Sequence, residues 1–175
     1  MCCCLMSSID HPVTQVREVS IANRHPRLRF NRWEVTQAVS LLDASASTLG
    51  RNKSGIPSGE LSIVFLTDEA IGRLHGAFLY DPTATDVITF EGNAALGTAG
   101  EICISADTAA AYAKSHGHEF STELTLYLIH GWLHLSGHDD LVPAKKRVMR
   151  RAEARALQVL ERADAMPWFV LRGKR

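Results

Sequence analysis

The chain has 175 residues, of which 46% are hydrophobic and 22% are charged, which are ordinary proportions for a single globular domain. Basic and acidic residues are equal in number, so the net charge gives no indication of a nucleic-acid partner. Three adjacent cysteines at positions 2–4 and an isolated Cys103 exclude a disulfide framework and predict a reduced, cytoplasmic protein.

The first half of the chain predicts two strand–helix pairs. Its elements are, in order, a strand at Val16–Asn23, a helix over residues 31–42, a loop over residues 51–59, a strand at Glu60–Leu66 and a helix from Thr67 to Leu79. Asn31 and Thr67 are side chains that commonly cap helices, and Glu34 follows Asn31 by three residues, as in a capping box. These signals fix where both helices are expected to begin.

The second half predicts two strands followed by three helices. Its elements are, in order, a turn at Asp81–Thr85, a strand at Asp86–Phe90, a loop at Glu91–Gly100, a strand at Glu101–Ser105, and helices over Ala106–Lys114, from Ser121 onward and from Val142 to about Ala163. The two strands are joined without an intervening helix, so we expect them to be antiparallel. Pro143 suits the first turn of the last helix.

This order of elements predicts an α+β fold in one domain over residues 16–165. We expect a small mixed β-sheet of about four strands packed with helices, one of which carries two histidines in an HxxxH spacing. Residues 1–15 are predicted to be a disordered N-terminal tail and residues 166–175 a C-terminal tail. No stretch approaches the roughly 20 apolar residues of a membrane span, so no membrane association is expected.

The segment HGWLHLSGHDD is typical of an open metal site. His130 and His134 are four residues apart, so both imidazoles share one helix face and can reach one ion. Gly137 can end the helix in a left-handed conformation and turn the chain back toward that ion. The turn brings either Asp140 or His138 to the metal. Three protein ligands leave a fourth position for water, which is typical of catalytic zinc.

Two details refine this interpretation. Asp140 is preferred over His138 as the third ligand, since His138 directly follows Gly137 and has less chain with which to curl back. The ligand spacing is shared with zinc proteases, which place a general-base glutamate directly after the first histidine. That position is Gly131 here, which disfavours a peptidase.

The same segment resembles the YbeY family of bacterial endoribonucleases, the rRNA maturation factors, whose metal helix carries HGxLHLxGxDH. HGWLHLSGHDD matches this pattern at every defined position except the last. TDVITF, residues 85–90, is similar to the family's TDVLSF, and GEICIS, residues 100–105, is similar to its GDIVIS strand. Two positions differ: Asp140 stands where the family has histidine, and Leu79 or Tyr80 stands where it usually has arginine.

The resemblance implies a single-strand-specific, metal-dependent endoribonuclease that acts in rRNA maturation, at the 3′ end of 16S rRNA, and in ribosome quality control. His130, His134 and Asp140 are then the metal ligands and the catalytic residues around one Zn²⁺ ion. The implied partners are single-stranded RNA, rRNA and the ribosome or its small subunit, with no DNA and no membrane. The implied location is the cytoplasm.

Several roles stay open at this stage. Asp86, Glu101 and Asp139 are candidates for a general base, and Asp139 is also a candidate for capping a turn or orienting a ligand imidazole. Arg73, one to two helical turns from the position of the family arginine, is a candidate substitute for it. An ordinary exposed helix arginine is the simpler interpretation of Arg73.

Two other functions are compatible with the sequence: a zinc peptidase, and a ribosome-associated RNA-binding factor with a structural metal and little catalysis. Basic residues cluster near both ends of the chain. They are Arg17, Arg24, Arg27, Arg29 and Arg32, and then Lys145, Lys146, Arg147, Arg150 and Arg151. Such clusters can contact phosphates, although most charge runs are solvated faces.

Overall fold

A four-stranded mixed sheet forms the centre of the molecule in the computed structural model, which describes residues 17–51, 56–80 and 82–173. The strands are β1 Val19–Asn23, β2 Leu28–Phe30, β3 Glu60–Leu66, β4 Val87–Glu91, β5 Thr98–Ser105 and β6 Phe169–Leu171. The helices are α1 Arg32–Ala44, α2 Ala46–Leu49, α3 Asp68–Leu79, α4 Ala106–His116, α5 Phe120–Leu135 and α6 Pro143–Arg162, with a 3₁₀ turn at Ala94–Leu96. None of the described helices is long and apolar enough to cross a membrane.

The sheet has the strand order β1-β3-β5-β4. β1, β3 and β5 are parallel, and β4 pairs antiparallel with β5. The predicted α+β class, the mixed sheet of four strands and the antiparallel pairing of the third and fourth predicted strands are therefore confirmed.

The two faces of the sheet are covered by different helices. Side chains alternate along β5, so Ile102 and Ile104 join the main core with α5, whereas Cys103 joins a smaller cluster with Ile71 of α3. Trp132 of α5 is fully buried in the main core. α5 is thus held between the sheet and the other helices, which gives its polar groups a fixed position.

The helix starts agree with the capping signals. The side chain of Asn31 accepts a hydrogen bond from the Trp33 amide, and that of Thr67 accepts one from the Ala70 amide. Glu34 does not complete the predicted capping box, because its carboxylate instead accepts a hydrogen bond from the Trp168 amide.

Two short strands were missed by the sequence analysis. β2 and β6 form a separate antiparallel pair, in which Arg29 lies opposite Val170. β6 falls inside residues 166–175, the predicted C-terminal tail, so that prediction is wrong for residues 169–171. Three-residue strands are too short to show alternation, and this pair forms between residues far apart in sequence. The predicted N-terminal tail, residues 1–15, lies outside the described residues, as does Val16.

Candidate metal centre

The C-terminal end of α5 is shaped by a left-handed glycine. Gly137 has a φ of 93°, and its amide donates to the carbonyl of His134 while the His138 amide donates to the carbonyl of Leu133. These two bonds form a Schellman motif, in which the chain reverses directly after the helix. The turn predicted at Gly137 is confirmed, and it carries Asp140 back toward the face that holds both histidines.

Three side chains converge at this turn. The Nε2 atoms of His130 and His134 are 2.9 Å apart, and a carboxylate oxygen of Asp140 is 3.8 Å from Nε2 of His134. One donor atom from each of the three residues lies within 4.8 Å of the others, and all three side chains are half-buried. The structure therefore brings together the three predicted ligands in an arrangement that could hold one metal ion.

The outer ring nitrogens of both histidines are already engaged. Nδ1 of His130 is 2.7 Å from a carboxylate oxygen of Glu153 in α6, and Nδ1 of His134 is 3.1 Å from the carbonyl oxygen of His138. A carbonyl accepts and never donates, and an ionised carboxylate behaves in the same way, so both rings carry their proton on Nδ1. When both rings are neutral, the two Nε2 lone pairs face each other across 2.9 Å, and a metal ion or a proton between them satisfies both. This donor set fits a divalent metal ion.

The two imidazoles have opposite electrostatic tendencies. Burial lowers the pKa of His130, but the hydrogen bond and charge of Glu153 outweigh that effect and raise the pKa above its ordinary value. Burial, followed by the charge of His130, lowers the pKa of His134. Glu153 thus supplies the negative charge that holds a cation at this site, and His134 is kept neutral, as a metal ligand must be.

His138 and Asp139 lie next to the cluster but point elsewhere. The His138 ring is buried, and its Nε2 atom is 2.9 Å from the carbonyl oxygen of Leu49. Asp139 accepts hydrogen bonds from the Leu141 amide and from the Lys145 ammonium. His138 contributes its backbone carbonyl to His134, and Asp139 caps the turn, so the orienting carboxylate is Glu153 rather than Asp139.

Gly131 is explained by packing. A Cβ atom at this position would lie 2.4 Å from Cγ2 of Ile102 and 3.1 Å from Cγ1 of Val87, closer than carbon atoms can approach without displacing a neighbour. α5 therefore touches β4 and β5 at the residue where a zinc protease has its glutamate. A longer side chain has no space here, which adds a steric reason to the sequence argument against a peptidase.

The three candidate bases lie in different surroundings. Glu101 alternates with Ile102 along β5 and so lies on the sheet face away from α5, where the Cys103 thiol approaches it at 3.7 Å. Asp139 is paired with Lys145. Asp86 precedes β4, and its charge favours the protonated form of both His130 and His134, although burial and the charge of His130 outweigh this at His134 and lower its pKa. Of these three carboxylates, Asp86 is the one whose charge acts on both histidines of the cluster.

The arginines near the N-terminus are largely engaged in the fold. Arg17 bonds the Asp43 carboxylate at 2.7 Å and also donates to backbone carbonyls of the loop before β3. Arg27 bonds Asp107 at 2.8 Å, and Arg29 donates to the carbonyls of Pro26 and Leu28. These contacts argue for structural roles for three of the five arginines.

Tyr80 is one of the two residues aligned with the family arginine, and Arg73 precedes it in α3. Arg73 is exposed and pairs with Glu69 one turn earlier in α3 at 2.5 Å. Tyr80 follows α3 in a left-handed conformation with a φ of 59°, and its side chain is 93% exposed. The Arg73 side chain is thus engaged with Glu69, and Tyr80 carries no positive charge. The simpler interpretation of Arg73 as an ordinary exposed helix arginine is favoured.

The fold and the cluster define an α+β protein with a three-donor candidate metal site on an HxxxH helix. A family profile described as Endoribonuclease YbeY matches residues 20–161. The chain belongs to this family, so the resemblance noted in the sequence is confirmed.

Individual relatives agree with the family assignment. A protein named Endoribonuclease YbeY from Geobacter metallireducens is 39% identical over 160 residues, which are 83% of this chain and 97% of that protein. One from Anaeromyxobacter dehalogenans is 40% identical over 124 residues, 69% of this chain and 62% of the relative's own length. A Thermotoga maritima protein of known solution structure has the same fold, with a TM-score of 0.57 at 19% identity over 84% of this chain and 92% of that one.

Glu153 is the residue of the candidate site that the sequence analysis missed. It lies 23 residues after His130, in a different helix, and its neighbours are mostly basic. Its signal is an acidic residue on the partly buried edge of an otherwise basic amphipathic helix. This pattern predicts that the carboxylate of Glu153 points toward the rest of the protein, but it does not predict that its partner is His130.

Proposed function

We propose that this protein is a metal-dependent endoribonuclease that cleaves single-stranded RNA, with His130, His134 and Asp140 holding one Zn²⁺ ion. Family membership supports the nuclease class. The observation that carries the metal site is the pair of facing Nε2 atoms, whose Nδ1 partners are both acceptors.

The residues of the site divide the work. A divalent ion held there supplies Lewis-acid activation of water and stabilises negative charge on phosphoryl oxygens. Glu153 orients His130, and the carbonyl of His138 orients His134. Asp86 supplies a carboxylate as the proton acceptor, and the hydrogen bonds that its Oδ1 atom accepts from the Thr85 hydroxyl and the Val87 amide orient that carboxylate.

Asp140 in place of a third histidine changes the charge of the centre. A carboxylate lowers the net charge of the metal centre by one unit compared with three neutral imidazoles. A metal ion held by this donor set would make its bound water less acidic than one held by three histidines. The proposed enzyme therefore has its activity displaced toward higher pH relative to an Asp140→His variant.

The proposed biological role is rRNA maturation, including the 3′ end of 16S rRNA, and ribosome quality control, with the ribosome or its small subunit as partner in the cytoplasm. Family membership supports this role. It is tested by sequencing rRNA ends in cells that lack the protein and in cells that carry the His134→Ala variant.

The direct test is cleavage of a labelled single-stranded RNA by the purified protein. We expect cleavage that stops with a chelator, returns with added Zn²⁺ and is lost in His134→Ala. Equal cleavage by wild type and variant would exclude the metal-centred mechanism. Peptide turnover by the zinc-loaded protein would instead indicate a peptidase. Ribosome co-sedimentation with metal-dependent stability but no cleavage would indicate a binding factor.

A further inference from the structure

Helix α6 presents an unusually basic surface. It contains seven basic and two acidic residues, and all seven basic side chains are exposed: Lys145, Lys146, Arg147, Arg150, Arg151, Arg155 and Arg162. Within the part of the chain that the structure describes, Lys145 is the member of this set with an ion-pair partner, Asp139. The remaining positive charges of α6 are therefore not neutralised by the fold, unlike those of Arg17 and Arg27.

Two contacts fix which sides of α6 face the rest of the molecule. Glu153 bonds His130, so its side of the helix faces the candidate metal centre. Lys145 and Val148 line a cleft of about 370 Å³ together with Arg51, so their side faces the end of α2. The apolar residues between these two sides, among them Met149 and Ala156, are buried in the core.

Two of the free cations share the side that faces the cluster. Lys146 and Arg150 precede Glu153 by seven and three residues, spacings that place all three on one helix face. Because Glu153 reaches His130, its two basic neighbours flank the same cluster from solvent. Arg155 and Arg162 follow Glu153 by two and nine residues and so lie on the opposite, outward side of the helix.

We propose that Lys146 and Arg150 bind the phosphates of the RNA strand next to the metal centre and act as positioning residues for the cleavage reaction. This inference rests on the proposed nuclease function. The unpaired positive charge complements the RNA backbone, and the two residues adjoin the site where a phosphodiester must lie. An anionic membrane is a poorer match, since the apolar face of α6 is buried and unavailable for insertion.

The test compares two double variants with the same change in charge on the same helix. Lys146→Gln with Arg150→Gln removes the pair beside the cluster, and Arg155→Gln with Arg162→Gln removes a pair on the outward side. Affinity for a 2′-O-methylated single-stranded RNA, which resists cleavage, is measured by fluorescence anisotropy at several salt concentrations. Zinc content and melting temperature are recorded for each protein.

We expect the first double variant to bind roughly tenfold more weakly and to lose roughly 1.4 from the magnitude of the salt slope, about 0.7 for each phosphate contact in single-stranded RNA. KM for a cleavable RNA rises with little change in kcat, because the metal ligands are intact. The outward pair should change affinity by less than about threefold. Both variants should retain one zinc ion.

The competing outcomes are distinct. Equal losses in the two double variants would overturn the proposal, because a diffuse charge effect and not a defined contact would then explain binding. Binding to anionic vesicles that depends on Lys146 and Arg150, with RNA binding unchanged, would also overturn it. If the wild type binds the modified RNA through these residues but does not cleave unmodified RNA, the nuclease proposal fails and with it the positioning role, whereas phosphate binding by Lys146 and Arg150 stands. If the wild type cleaves RNA and the Lys146→Gln, Arg150→Gln variant binds and cleaves RNA equally well, this proposal fails and the nuclease proposal stands.

Discussion

Two histidine–carboxylate pairs in this molecule look alike but serve different ends. Nε2 of His25 is 3.1 Å from Asp107, and Nδ1 of His130 is 2.7 Å from Glu153. The second nitrogen of His25 accepts hydrogen bonds from the Arg27 and Leu28 amides, so the hydrogen-bonding capacity of this ring is used up. The second nitrogen of His130 faces His134.

This difference shows what turns a buried histidine into a candidate site. A histidine with both nitrogens satisfied by the fold is a structural cross-link. A histidine with one nitrogen oriented by a carboxylate and the other aimed at further donors is a candidate ligand. The carboxylate alone does not distinguish the two cases.

The largest expected effects come from removing each histidine in turn. His130→Ala should weaken zinc binding by more than the roughly 10–100-fold typical of losing an outer partner, while the protein stays folded. His25→Ala should leave zinc binding intact but cost about 1–3 kcal/mol of unfolding free energy, because the Arg27 amide loses its ring acceptor and the Leu28 amide keeps only the His25 carbonyl. Zinc titration and chemical denaturation of both variants measure these effects. Zinc loss in His25→Ala would break the comparison.

The next largest effect is expected on zinc affinity when Glu153, the carboxylate partner of His130, is replaced. Glu153→Gln keeps the shape of the side chain but removes the charge that orients His130, so zinc affinity should fall roughly 10–100-fold. Glu161→Gln, an exposed residue of the same helix, is the matched control and should leave affinity unchanged. Isothermal titration with Zn²⁺ separates the two, and similar affinities for both variants would exclude the orienting role of Glu153.

The close approach of α5 to the sheet gives a third prediction. Gly131→Ala should reduce the unfolding free energy by about 1–3 kcal/mol, because the new methyl group overlaps Ile102. Urea denaturation measures the change. A Gly131→Ala protein as stable as wild type would show that the helix can move away from β5, which would remove the steric argument against a glutamate there.

The His25–Asp107 pair should also make the thermal stability of the protein depend on pH in the acidic range. Partial burial opposes ionisation of Asp107, but hydrogen bonds from His25 and the Asp68 amide outweigh it and hold the pKa of Asp107 below its usual 3.8. Its stabilising contribution is therefore present above that pH and is lost as the pH falls further. Asp107→Asn should lower the melting temperature at pH 6 by about 2–4 °C, equivalent to about 1 kcal/mol. The gap should narrow as the pH falls below 3.8 and on through the lower pKa of the folded state, and a gap independent of pH would contradict the assignment.

The smallest expected effect distinguishes two adjacent aspartates. Asp139 binds the Leu141 amide and Lys145 and is turned away from the histidines, whereas Asp140 lies 3.8 Å from His134. Asp139→Asn should therefore change zinc affinity by less than about twofold, while Asp140→Asn should weaken it strongly. Equal sensitivity of the two variants would contradict the assignment of Asp140 as the third ligand.

The sequence was sufficient for the local part of the site. The spacing of His130 and His134, the left-handed Gly137 and the return of Asp140 all depend on neighbouring residues, and these features could be predicted. Glu153 and the Leu49 carbonyl that holds His138 come from distant segments, and a single sequence does not specify which distant groups meet. The same reason explains why β6 was mistaken for part of a tail.

The central claim is that His130, His134 and Asp140 hold one metal ion. Crystals of the zinc-loaded protein, measured at the zinc absorption edge, test this most directly. We predict one anomalous peak within about 2.3 Å of Nε2 of both histidines and of a carboxylate oxygen of Asp140, with a fourth position open to solvent. A peak bonded to the His138 ring, or a peak away from α5, would contradict the account.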